Sequence, residues 1–277
     1  MKTTTKIMML FLAMTLTLAA CSKDDDTGTV QVKVTDAPFP FKFVSEANVN
    51  ITKVELKNED KEYVTVFEGN AAMNMVQYRN GVTANLAVKS IPPGKYSGIR
   101  VTIEGAEVKL TNGETFTVQA GLNGTVNTII TPELVVKEGE SQEILMDIDM
   151  SDSFSFSGNF FGGWITAVTQ ITGISSFNPD VRVANLEMTG SVSGTVKDTD
   201  GTVIEGAEVY VKYDYDGDGT LEEISTVTEA DGSFKIIGLP AGQYTLYVDA
   251  KDANEVTTTV TVNVDAEVTV TVEVVQE

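Results

Sequence analysis

From Thr29 onward apolar and polar residues alternate with period two, as in Val30, Val32 and Val34 and again in Val260, Val262 and Val264. Such a period places successive side chains on opposite faces of an extended chain, so it predicts strands buried on one side. The runs are punctuated by Asn80-Gly81, Asn112-Gly113, Asn123-Gly124, Asp200-Gly201 and Asp231-Gly232, pairs that tolerate positive φ in tight connections. Short strands joined by such turns argue for an all-β fold of antiparallel β-sandwiches with few helices.

An internal echo divides the chain. Ile91-Pro92-Pro93-Gly94-Lys95-Tyr96 and Leu239-Pro240-Ala241-Gly242-Gln243-Tyr244 share an apolar-Pro-x-Gly-x-Tyr turn that leads into a strand. A tyrosine there suits the end of a sandwich, with its ring inside and its hydroxyl free to bond. Two such corners predict two tandem sandwiches, residues 29–186 and 190–277. The boundary falls between Asn185 and Gly190, where a self-contained meander begins at Ser191.

One segment departs from the alternation. Phe154, Phe156, Phe160 and Phe161 precede Gly162-Gly163 and the single tryptophan, Trp164. Phe160, Phe161 and Trp164 are candidates for an aromatic platform on which a sugar ring stacks. The other reading is packing: Trp164, Val168 and Ile171 stand at i, i+4 and i+7, which suggests a short helix laid on the sandwich.

The first residues combine Lys2 and Lys6 with an apolar run from Ile7 to Leu18 that is too short to span a bilayer, followed by small residues up to Cys21. This predicts a secretory signal over residues 1–20. The stretch Leu18-Ala19-Ala20-Cys21 resembles a bacterial lipobox, which implies cleavage before Cys21 and a thiol that carries a diacylglycerol with palmitate-type chains. No second cysteine exists to pair with Cys21. Residues 21–28 then form a lipidated acidic tether through Asp24, Asp25 and Asp26. Ser22 beside the cysteine and the acidic run after it resemble the signals of an outer-membrane lipoprotein exported to the cell surface.

Composition narrows the chemistry. The 277 residues include no histidine and one cysteine, so a histidine general base, a Ser-His-Asp triad and a His/Cys zinc site are excluded together. The formal charge is −21, or −23 once Lys2 and Lys6 are removed, which disfavours nucleic acid and anionic membrane surfaces as partners. Cations and neutral ligands such as glycans remain.

Several spaced motifs carry a family resemblance. Gly194-Thr195-Val196, Asp198 with Asp200-Gly201, Gly206-Ala207-x-Val209, Thr228-x-x-Asp231-Gly232-Ser233-Phe234 and Gly238-Leu239-Pro240-Ala241-Gly242-x-Tyr244 together resemble a carboxypeptidase regulatory-like domain. The resemblance implies a prealbumin-like (transthyretin-like) sandwich of the carbohydrate-binding-like fold group, an accessory module without peptidase activity. The opening Val30-x-Val32-x-Val34-Thr35-Asp36-Ala37-Pro38 is similar to an uncharacterised bacterial lipoprotein family and implies fold and location but no chemistry. Asp36, before Ala37-Pro38, reads as a turn-forming aspartate.

The most pointed chemistry lies in Tyr213-Asp214-Tyr215-Asp216-Gly217-Asp218-Gly219-Thr220-Leu221-Glu222-Glu223. Asp214, Asp216 and Asp218 hold positions one, three and five of an EF-hand calcium loop, with the Thr220 carbonyl at seven and Glu222 at nine. Position twelve is Ser225 instead of a bidentate glutamate, and the loop joins two strands, so no helix-opening motion is available. The loop is either a structural Ca2+ site or an acidic turn. These readings converge on a non-enzymatic surface lipoprotein that binds a glycan or a surface protein. One alternative is a fimbrial subunit donating a strand such as Val268 to Val275. Another is a carboxylate-based glycosidase, for which no acid pair stands out.

Overall fold

The computed structural model describes residues 26–36, 42–121, 124–160 and 168–275. The strands among them run in chain order as β1 (Gly28–Asp36), β2 (Val44–Asn58), β3 (Tyr63–Asn74), β4 (Ala84–Ile91), β5 (Gly94–Leu110), β6 (Thr115–Gln119), β7 (Thr125–Val136), β8 (Ser141–Asp149), β9 (Phe154–Phe160), β10 (Val168–Phe177) and β11 (Asp180–Asn185). They continue as β12 (Thr189–Asp198), β13 (Glu208–Tyr213), β14 (Glu222–Val227), β15 (Ser233–Pro240), β16 (Gly242–Asp249), β17 (Val256–Val262) and β18 (Glu267–Val274). One helical turn, α1 (Met150–Ser153), follows β8 and is capped by the Asp149 carboxylate, which accepts from the Ser151 and Asp152 amides.

Two hydrophobic cores form, one from buried residues between Val30 and Val183 and one from buried residues between Val192 and Val274. The first lies between a sheet of order β11-β8-β1-β4 and a second sheet of order β3-β2-β5-β6, in which β7 pairs with the other half of the long β5. The second core lies between β15-β12-β18 and β14-β13-β16-β17. The period-two pattern is visible in the burial: Val30, Val32 and Val34 are fully buried, while Gln31 and Lys33 between them are half-buried. The chain is all-β.

The two proline corners match. Tyr96 is 2% exposed and its hydroxyl donates to the Pro92 carbonyl at 2.9 Å; Tyr244 is 6% exposed and donates to the Pro240 carbonyl at 2.8 Å. Each ring fills its core while its one polar atom is satisfied four residues back, so neither burial leaves a free hydroxyl.

Three expectations need correction. The sandwiches are not wholly antiparallel, because β1 pairs parallel with β8 and β12 pairs parallel with β18. A parallel pair needs a long crossover, here most of a domain in each case, and alternation along one strand carries no trace of the direction of its neighbour. The helix expected through Val168 and Ile171 is instead the hairpin β9-β10, whose register shifts at Val168/Gln170, Ile171/Gly173 and Ile174/Ser176 offset the alternation. Finally, Val268 to Val274 lie within β18 and pair with Val192–Asp198 inside their own sandwich, which removes the main support for a donated strand.

Candidate functional site

The acidic loop is built between β13 and β14, where the hairpin must reverse over residues with little apolar content. Asp214 turns back on the chain, its two oxygens accepting from the Gly217 and Gly219 amides at 2.7 and 3.1 Å. Asp216 accepts from the Asp218 amide at 3.0 Å, and Asp218 from the Thr220 amide at 2.7 Å. Gly217 and Gly219 adopt φ of +80° and +93°, which a side chain would resist. The result brings one carboxylate oxygen each from Asp214, Asp216 and Asp218 within 4.8 Å of one another.

Thr220 contributes its amide to that frame. Glu222 turns into the loop as well: its Oε2 accepts from the Tyr215 amide at 3.3 Å. Desolvation, with the nearby Asp216 and Asp218 charges, raises the Glu222 carboxyl above the usual range, whereas the Thr220 amide bond lowers that of Asp218. Ser225 at the twelfth position lies inside β14, opposite Tyr210, so the second oxygen of a bidentate acid is not supplied from there. Three carboxylates thus converge, with Glu222 held to the loop backbone beside them, and a divalent cation is the species such a cluster would take.

The loop also touches the first sandwich. Thr131 Oγ1 donates to the Tyr215 carbonyl at 3.1 Å, and the Tyr215 hydroxyl reaches both oxygens of Asp180 at 3.3 Å.

Of the other candidates, Cys21, Phe161 and Trp164 lie outside the described residues. The backbone of Phe160 ends β9, opposite Val168. The start of the same segment is packed: Phe154 and Phe177 stack with centroids 4.7 Å apart and sit in the first core, with Phe156 against them.

A groove of about 410 Å³ opens on the outer face of the β3-β2-β5 sheet, lined by Thr52, Lys53, Glu68, Asn70, Thr102 and Glu104 around Gly69. Register shifts between Ile51 and Lys53 against both neighbouring strands widen the sheet at this point. Asn50 Nδ2 donates to Glu104 Oε2 at 3.2 Å and fixes that carboxylate at the rim.

Residues 27–160 match the family described as a domain of unknown function (DUF4382), and residues 191–275 match the carboxypeptidase regulatory-like domain. The chain carries a DUF4382 domain followed by a carboxypeptidase regulatory-like domain. No curated protein matches it. Among solved structures, catechol 1,2-dioxygenase of Acinetobacter radioresistens is 18% identical over 32% of this chain, with a TM-score of 0.27; the match takes in 52% of the dioxygenase, so this chain spans about half its length. The major pilin subunit of Bacillus cereus is 11% identical over 91% of this chain and 100% of its own, with a TM-score of 0.27. The minor pilin of Streptococcus agalactiae is 12% identical over 89% and 96%, with a TM-score of 0.26. At such scores these likenesses carry no weight for fold or function.

The DUF4382 match ends at residue 160, yet β10 and β11 beyond it complete the first sandwich, with Ile171, Phe177, Val181 and Val183 in its core. The outer face of β8 and β11 then meets the regulatory-like domain. Arg182 is the pin of that seam, donating to Asp147 Oδ2 at 2.8 and 3.3 Å, to the Gly238 carbonyl at 2.8 Å and to the Ile237 carbonyl at 3.2 Å. Gly238, at φ +71°, lets the backbone approach: a Cβ there would meet Leu145 at 3.0 Å and Ala184 at 3.2 Å. Arg79 grips Glu229 through two bonds of 2.9 and 3.0 Å, and Asn80 Oδ1 accepts from the Lys235 amide.

Sequence reasoning missed this seam. Asp36 in particular ends β1 in a buried position, and its Oδ1 accepts from the Met150 amide at 3.3 Å, far along the chain; Ala37 and Pro38, where its turn was expected, lie outside the described residues.

Proposed function

We propose that the protein is a non-enzymatic surface lipoprotein whose paired sandwiches bind a glycan. Cys21, acylated after removal of residues 1–20, tethers it at the outer membrane through the acidic linker, facing outward from the cell. The observation that carries the binding reading is the groove on the DUF4382 domain. Lys53 and the Asn70 amide offer donors, Glu68 and Glu104 offer acceptors, and the hydroxyls of Thr52 and Thr102 serve as either. That mixture suits a neutral, hydroxyl-rich ligand, and the net charge of the chain argues against nucleic acid. In the same reading Asp214, Asp216, Asp218, Glu222 and the Thr220 carbonyl take one calcium ion with a structural role.

The test is a glycan array probed with the full chain, wild type beside Asn70→Ala/Glu104→Gln. The reading expects an oligosaccharide that wild type retains and that the double variant binds at least tenfold more weakly. Retention of a surface protein in a parallel pull-down, with no glycan bound, replaces the ligand class. Turnover of a bound oligosaccharide ends the non-enzymatic reading.

A further inference from the structure

Asp36 Oδ2 and Asp147 Oδ1 are buried and accept no hydrogen bond from any described residue. The two aspartates are 6% and 8% exposed, and both line one cavity of about 10 Å³ in the seam, together with Thr35, Asn80, Arg182 and Thr226. That volume suits a single water molecule.

The charges around the cavity decide what satisfies the two oxygens. Asp147 is compensated by Arg182. Asp36 faces Asp147 and Asp149 from β8, Arg79 from the turn before β4, Arg182 from β11 and Lys235 from β15. Each of those cations is engaged elsewhere: Arg79 by Glu229, Arg182 by Asp147 and two carbonyls, Lys235 by Glu267. An ionised Asp36 therefore adds a buried charge beside the Asp147 carboxylate, and beside Asp149 once that group ionises, without a cation of its own. A metal ion would sit against the Arg182 guanidinium. One proton on Asp36 and one water in the shared cavity meet the need at both oxygens.

We infer that Asp36 stands at the seam as a neutral carboxylic acid, its hydroxyl reaching Asp147 Oδ1 through one water in the cavity they share, so that docking of the two sandwiches binds a proton. Burial first, then Asp149 and Asp147, hold the Asp36 carboxyl well above the ordinary aspartate range, the direction this arrangement requires. The sign of the linkage follows. Between the pKa of the open state and that of the docked state, opening releases a proton, so opening becomes easier as the pH rises.

The test is amide exchange in the full chain, read as protection factors at the Met150 and Lys235 amides, both of which donate at the seam. In wild type, protection should fall about tenfold per pH unit above pH 5 until Asp36 titrates, as expected for one proton released on opening. In Asp36→Asn, a neutral isostere that keeps both the acceptor and a donor, the fall should be shallower by the share of one proton, what remains coming from Asp149 and Asp180. A carboxyl-carbon titration of wild type supplies a second readout that depends on no variant, with the Asp36 signal still in its acid form near neutral pH. A flat wild-type profile, an equal slope in Asp36→Asn, or an Asp36 carboxyl that titrates at the ordinary aspartate value overturns the inference.

Discussion

Arg182 holds three partners at the seam, one carboxylate and two carbonyls, and is 7% exposed. Burying an ion pair yields little net stability by itself, but removing one member leaves the other charged and dry, at about 3–5 kcal/mol. Arg182→Met is therefore expected to destabilise the chain by about that amount in urea unfolding, because Asp147 loses its counter-charge. Adding Asp147→Leu should recover most of the loss, since an apolar pair of similar volume needs no partner. A double variant as weak as the single one would mean that the carbonyl contacts, and not the charge, carry the energy. The tyrosine corners are a smaller case. Tyr244→Phe keeps the ring and deletes one bond to Pro240, so a loss of about 1 kcal/mol is expected, and Tyr96→Phe should add to it independently because the two rings lie in different cores.

At the scale of elements, the β13-β14 loop gathers three carboxylates that a cation would bridge. Carboxylates about 4 Å apart repel by roughly 1 kcal/mol in water and by roughly 4 kcal/mol at an effective dielectric of 20, so a cation relieves a strain that the backbone bonds of Asp214, Asp216 and Asp218 only partly offset. With an incomplete ligand set the expected affinity is that of extracellular modules, about 10⁻⁴ to 10⁻³ M. At ten times that dissociation constant, calcium adds about 1.4 kcal/mol, or a few degrees of melting temperature, in the full chain. Asp216→Asn/Asp218→Asn should abolish the shift; equal melting with calcium and with chelator in wild type would leave the loop as an acidic turn. The clustering of Asp214, Asp216 and Asp218 was legible because they are neighbours in sequence. So were the strands, the positive φ at Gly81, Gly113, Gly201 and Gly232, and the two corners, which are all local. The parallel pairs were not legible, because strand direction is settled by a partner more than seventy residues away along the chain, Thr29 beside Ser141 and Ser191 beside Glu267. The β9-β10 hairpin was misread for a different reason: bulges displaced Val168 and Ile171 into a helical spacing.

At the scale of the whole molecule, acids with raised pKa gather along the seam and beside it. Burial is the leading cause in each case: it lifts Asp149 to about 7, lifts Glu208, with help from Glu223 and Asp249, also to about 7, and raises Asp36 and Asp180. None of this shows in the sequence, where Asp36, Asp149, Asp180 and Glu208 are widely separated and four among forty acids. The consequence for stability has a definite sign. Below about pH 4 these groups are protonated whether the chain is folded or not and cost nothing. As the pH rises to 7 the unfolded chain releases their protons while the folded chain keeps them, so stability falls; above 7 it levels off at the lower value. Asp149 and Glu208 each correspond to a few kcal/mol at most over that window. Acids with lowered pKa, such as Glu55 beside Arg100 and Lys53, act in the opposite sense and lose their contribution only as the pH drops through the ordinary carboxylate range. The two sets together place the optimum near pH 5, on the acid side of neutrality. Melting temperatures of the full chain from pH 4 to pH 8 should peak there and decline toward pH 8. Asp149→Asn/Glu208→Gln should flatten the decline by raising the alkaline end. A wild-type maximum at pH 7 or above would show that the seam carries its acids ionised, with the cost met by groups other than the bound protons.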